Sequence, residues 1–122
     1  MTEKLHEDEL KALDKMFRTG DGKQPWTAAI KLGDFVESDP HTAWPFVIKW
    51  GCAKNEDTRA AVATCLLEHV LEYHFEEFFP KVKELALEKP TFAATFKICS
   101  KFGQSEEPVN SKRWNALERR LQ

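Results

Sequence analysis

The sequence predicts an all-α fold, and three observations carry the prediction. Apolar residues recur at three- and four-residue intervals along most of the chain. β-branched residues never alternate with polar ones over a useful length, so no strand is expected. The dipeptide Ala-Ala recurs at Ala28-Ala29, Ala60-Ala61 and Ala93-Ala94, with spacings of 32 and 33 residues. Each pair falls near the start of an expected helix that follows another helix, so the chain divides into three helix pairs. Small residues there let a neighbouring helix approach closely. Helix pairs repeating every 20–50 residues or so are the pattern of an α-α superhelix.

The first helix is expected over Thr2 to Arg18. Thr2 can cap it, and Leu10, Leu13 and Phe17 follow helical spacing with Met16 alongside. Gly20-Asp21-Gly22-Lys23 makes a turn. Pro25 suits the first position of the second helix, whose buried stripe would be Trp26, Ala29, Ile30, Gly33 and Val36. That helix should end near Ser38, before Asp39-Pro40. The third is expected over Thr42 to Ala53, with Trp44, Val47, Ile48 and Gly51 on one face. A cap at Thr42 places Pro45 in the first turn, where no amide bond is lost; a start at Pro40 would leave it as a kink. Asn55 to Tyr73 forms the fourth helix. Phe75, Phe78, Phe79, Val82, Leu85 and Ala86 mark the fifth, ending near Lys89. Pro90 restarts the chain for a sixth, lined by Phe92, Thr95, Phe96, Cys99 and Phe102 and closed by Gly103. Residues 104–111 read as a loop and 112–122 as a terminal helix. There, Trp114, Leu117 and Leu121 would cover the end of the stack, and Lys112, Arg113, Arg119 and Arg120 form a small basic patch.

The chain of 122 residues is long enough for one domain, residues 1–122, and too short for two ordinary ones. Nine Phe and four Trp supply a core and argue against disorder. A formal charge of −2 provides no global attraction to nucleic acid or acidic membranes. No early apolar segment of signal-peptide type and no apolar run of about eighteen residues is present. The expectation is a soluble, cytoplasmic protein with no membrane partner. The three cysteines, Cys52, Cys65 and Cys99, contain no CxxC pair and read as small buried hydrophobes.

The fourth helix is the most apolar long stretch. On a wheel of roughly 100° per residue, its polar positions fall in one stripe about 80° wide, holding Asp57, Ala61, Thr64, Glu68 and Glu72. Such a helix must be covered on several sides. Arg59 lies on its apolar face in the first turn, so its long side chain can reach past the helix end and tie the helix to the preceding turn.

The run Glu56-Asp57-Thr58-Arg59-Ala60-Ala61-Val62, followed by Leu66, resembles the second helix of a HEAT repeat. There an Asp and an Arg flank the interhelical turn and precede two small residues. Phe92 holds the place of Arg59 in the next pair, and Thr27 roughly in the first. The resemblance implies an armadillo-type right-handed stack whose second helices line a concave face, used most often to bind another protein. Asp57 and Arg59 would then be structural. The binding face would present Lys31, Asp34, Thr64, Glu68, Glu72, Lys97 and Lys101. Short Trp-rich members of that superfamily include DNA glycosylases of the alkylpurine-repair type, which makes a nucleic-acid partner the alternative. Phosphate binding needs clustered cations, and this face is acidic at its centre.

No cofactor or metal is expected. His69 and His74 are five apart, roughly 140° on the wheel, which is wrong for a helical metal pair. No phosphate-binding glycine loop and no GxSxG elbow occur. Cysteine and histidine could still meet in space, although only the residue types point that way.

Overall fold

The computed structural model describes residues 4–20 and 22–122. It is all-α, with no strand among the described residues. Helix α1 spans Glu7–Thr19, α2 Gln24–Gly33, α3 Pro40–Trp50 and α4 Glu56–Val62. A π-helical segment, Ala63–Leu67, continues α4 into α5, Glu68–Glu88. Helix α6 spans Pro90–Ile98, a 3-10 turn Gly103–Glu106, and α7 Pro108–Arg120.

Helix α1 begins at Glu7, and the expected Thr2 cap lies outside the described residues. Glu7, Asp8 and Glu9 fill its first turn, where the helix dipole favours negative charge. The Glu9 carboxylate also accepts the His6 backbone N–H at 3.2 Å. The helix closes on Gly20 in the left-handed conformation. Asp14 joins α1 to α3: Trp50 Nε1 donates to it at 2.9 Å, Lys49 Nζ at 3.1 Å and Arg18 at 2.7 Å. Partial burial pushes the Asp14 carboxyl pKa up, but these donors outweigh it and leave the pKa below the usual value.

The second helix departs from expectation in length and in face. It stops at Gly33, five residues before Ser38, and residues 34–38 form turns. Phe35 and Val36 donate to Leu32 and Gly33, an i→i+3 tightening that precedes Asp39-Pro40. Its buried residues are Pro25, Ala28, Ala29 and Leu32, while Ile30 is 56% exposed. The helix is seated between α1 on one side and α4 with the π segment on the other, so Ala28 and Leu32 turn inward and Ile30 outward.

The third helix begins at Pro40, with Asp39 as its cap; Thr42 is the donor, through its N–H at 3.3 Å and its hydroxyl at 2.6 Å. Pro45 therefore lies inside the helix, where His41 C=O lacks its usual amide donor. Asn55 caps α4 by accepting from the Asp57 and Thr58 amides at 2.9 and 3.1 Å.

Ala61, Val62, Ala63, Leu66, Leu67, Val70 and Leu71 show no exposure. The stretch from α4 into α5 is thus covered by α2, α3 and α6. The fourth and fifth expected helices meet at His74, which is non-helical at φ −138°, ψ 47°. The Gln104 side-chain amide bridges this break. It donates to Tyr73 C=O at 2.7 Å and accepts from the Phe75 N–H at 2.9 Å. His74 Nε2 lies 2.8 Å from Glu37 C=O and fixes the outer side.

Helix α6 ends at Ile98, short of the expected Gly103, and the chain runs extended at Cys99 and Phe102. Glu68 accepts the Ser100 N–H at 2.8 Å, which satisfies that amide off the helix. Gly103 has φ 52° and lies against α5; a Cβ there would sit 2.8 Å from Glu72 Cγ. The terminal helix starts at Pro108, four residues before the expected 112, because proline is well placed at a first helical position. Asn110 anchors it to Gln104 C=O at 2.9 Å. Trp114 and Leu117 are buried, with the Trp114 ring 4.8 Å from Phe96. No helix among the described residues is long and apolar enough to cross a membrane.

Candidate functional site

The seven residues of the expected face do not all line one depression. Asp34 and Thr64 do come together: with Ile30, Gly33, Cys65, His69 and Tyr73 they line a shallow depression of ≈ 280 Å³ over the π segment. Lys31 lies beside Asp34 on the wall toward α1, with Nζ 3.7 Å from Glu9. Glu72 accepts from His69 Nδ1 at 2.7 Å. Glu68, expected on the polar stripe, is 7% exposed. Lys97 is exposed in the last turn of α6. Lys101 is turned toward α7, where it donates to Ser111 and Asn115 at 2.8 and 2.7 Å.

The π segment explains the misplacement of Glu68. A π turn takes more residues than an α turn, so a wheel of constant angle loses phase beyond Ala63. Glu68 rotates inward and meets the chain at Ser100. Ala61 is also fully buried rather than on the stripe. Asp57 is exposed in the first turn of α4.

Arg59 points back past the start of α4. Its Nη1 donates to Ala53 C=O at 2.7 Å and Lys54 C=O at 3.1 Å, which ties α4 to the turn after α3. Arg59→Ala would orphan those carbonyls. A stability loss of about 1–3 kcal/mol is expected, read by denaturant unfolding. An unchanged midpoint would mean water replaces the guanidinium without cost.

The apolar character of the depression was hidden from the sequence. Ile30, Tyr73 and Phe102 are 56%, 38% and 41% exposed. Ile30 and Tyr73 line the depression, and the His69 ring stacks on Phe102 at 5.9 Å and 18°. His69 thus joins the depression to the extended segment after α6. The surroundings are acidic: Asp34 lines the depression, and the charges of Glu72 foremost, then burial, then the charge of Glu37, push the Tyr73 hydroxyl pKa up.

The chemistry available here is limited. Burial pushes the Cys65 thiol pKa up, and the nearby Glu68 charge adds to this. Cys99 is pushed well up by burial, with the Glu68 and Glu118 charges reinforcing it. Both stay thiols rather than nucleophilic thiolates at neutral pH. The His69 nitrogens face Glu72 at 2.7 Å and Glu68 at 3.9 Å. Cys65 instead has Thr64 as its polar neighbour, at 3.8 Å. Among the described residues, no group of three or more His, Cys, Asp or Glu is placed to hold a metal ion.

Glu68 itself carries a pH signature. Burial raises its carboxyl pKa, opposed by the Ser100 N–H and His69 and reinforced by Glu72. A raised folded-state pKa means that ionised Glu68 costs stability above that pKa, and that the cost disappears below the unfolded-state value. Glu68→Gln is therefore expected to raise the melting temperature at neutral pH. Its advantage should close as pH falls through the acid range, and a gap independent of pH would contradict this reading.

Searched against protein-family models, characterised proteins and solved structures, the chain matches none.

Proposed function

We propose that the chain is a non-enzymatic binding module that recognises another protein through the depression around His69. The observation that carries this reading is the placing of exposed Ile30 and Tyr73 in the depression beside acidic groups, with exposed Phe102 stacked on His69 next to them. Apolar side chains gathered at one place with polar groups around them are the ordinary composition of a protein-binding surface. The acidic setting favours a partner segment that is apolar and basic.

The fold is read as a short HEAT-like stack. Helix α1 packs on α2, α3 on α4 and α5 on α6, while α2 and α6 both pack on α4. That order of neighbours supports the pairing expected from the Ala-Ala repeat. In this reading the depression lies where α2 meets the second helix of the middle pair.

Affinity capture tests the reading. A protein retained by the wild type should be lost to the double variant Ile30→Asp with Phe102→Asp. Both positions are exposed, so the fold should survive. Equal retention of every captured protein would contradict the assignment. Duplex DNA should not bind at low ionic strength, where phosphate contacts are strongest; salt-sensitive binding would favour the nucleic-acid alternative.

A further inference from the structure

A second cleft, built from different residues, lies between α5 beyond its break and α7. It has a volume of ≈ 280 Å³, with Phe79, Pro80 and Lys83 on one wall and Arg113, Ala116, Leu117 and Arg120 on the other. The α7 residues follow i, i+3, i+4, i+7 spacing, the pattern of a helix face that meets something. Phe79 and Leu117, at 2% and 1% exposure, form an apolar floor.

Three cations stand around that floor. Arg113 is held in place: its guanidinium carbon lies 5.2 Å from the Phe75 ring centre and 5.3 Å from that of Phe79, and its Nη1 bonds Glu76 at 3.0 Å. Lys83 and Arg120 are exposed and form no ion pair among the described residues. Glu76 offsets one of the three charges, and the cleft keeps an excess of positive charge over an apolar base.

We propose that this cleft docks an acidic peptide segment carrying one large apolar side chain. The volume suits a single side chain, below the usual size of a small-molecule site. The apolar residue would seat on the exposed Pro80 and Ala116, which lie over buried Phe79 and Leu117, and carboxylates on either side would meet Lys83, Arg120 and the remaining donors of Arg113. The inference is independent of the acidic depression, and the two surfaces would select partners of opposite charge.

The test is a titration of isotope-labelled full-length protein with a synthetic peptide holding one phenylalanine between glutamates. Amide resonances of Lys83, Ala116 and Leu117 should shift, and the affinity should fall as salt is added. The double variant Lys83→Glu with Arg120→Glu should bind at least about tenfold more weakly with an unchanged melting temperature. The same peptide with glutamine for glutamate should bind as weakly to the wild type. No shifts at low ionic strength, equal shifts with the glutamine peptide, or shifts centred on Tyr73 and Phe102 would each overturn the proposal. Larger shifts at these amides with a duplex oligonucleotide would overturn it in favour of a phosphate ligand.

Discussion

Trp114→Ala is expected to lower stability by about 3–5 kcal/mol. Trp114 is 1% exposed and lies 4.8 Å from Phe96, so its ring closes the end of the core. A cavity of that size cannot collapse easily, because Phe96 and Leu117 beside it are themselves buried. Helix α7 is also the partner that Lys101 and Gln104 reach. Loosening it should therefore weaken the bridge across the His74 break as well. Denaturant unfolding and amide exchange check both parts. The midpoint should fall, and the Phe75 amide, which bonds Gln104, should exchange faster. A loss below about 1 kcal/mol would mean that α7 is docked only loosely.

Gly33→Ala should have the second-largest effect, a loss of about 1–3 kcal/mol or more. A Cβ at Gly33 would lie 2.5 Å from the Cys65 carbonyl oxygen. That atom is backbone, within the π segment, so it cannot turn aside as a flexible side chain would. Either α2 retreats or the π segment is remodelled. Both outcomes disturb the depression that Gly33 and Cys65 line together. The melting temperature should fall, and a nitrogen–proton correlation spectrum should show shifts running from Ala29 to Glu68. A variant as stable as the wild type would show that the two backbones do not make this close approach.

The sequence made the all-α class legible because its helical spacing was clean at the positions that matter. Phe75, Phe78, Phe79, Val82 and Ala86 are all buried as their spacing requires. The division between Tyr73 and Phe75 was also expected, with the fourth helix ending at Tyr73 and the stripe of the fifth beginning at Phe75. Helix ends were read less well. Asp39, not Thr42, caps α3, and Pro108 starts α7, because a proline at a first position overrides a polar neighbourhood.

The candidate site was only partly legible. Asp34 and Thr64 do share a surface, but a constant 100° wheel could not anticipate the π segment, and Glu68 moved from surface to interior. Ile30 misled in the opposite direction: spacing placed it in the core, yet packing on both sides of α2 turned it outward. Phe102 continues the spacing of a helix that ends four residues earlier, at Ile98. Such errors concentrate the missed apolar residues around His69.

The most direct test of the binding-module reading is photo-crosslinking from position 73. A photoreactive phenylalanine analogue replaces Tyr73, which is exposed at the edge of the depression, and a control places it at exposed Glu88 near the end of α5. In extract, position 73 is expected to give a discrete crosslinked band that position 88 does not. That band should disappear when Ile30→Asp and Phe102→Asp are added. No crosslink from position 73, or one that survives both aspartates, would contradict the claim that this surface receives a partner.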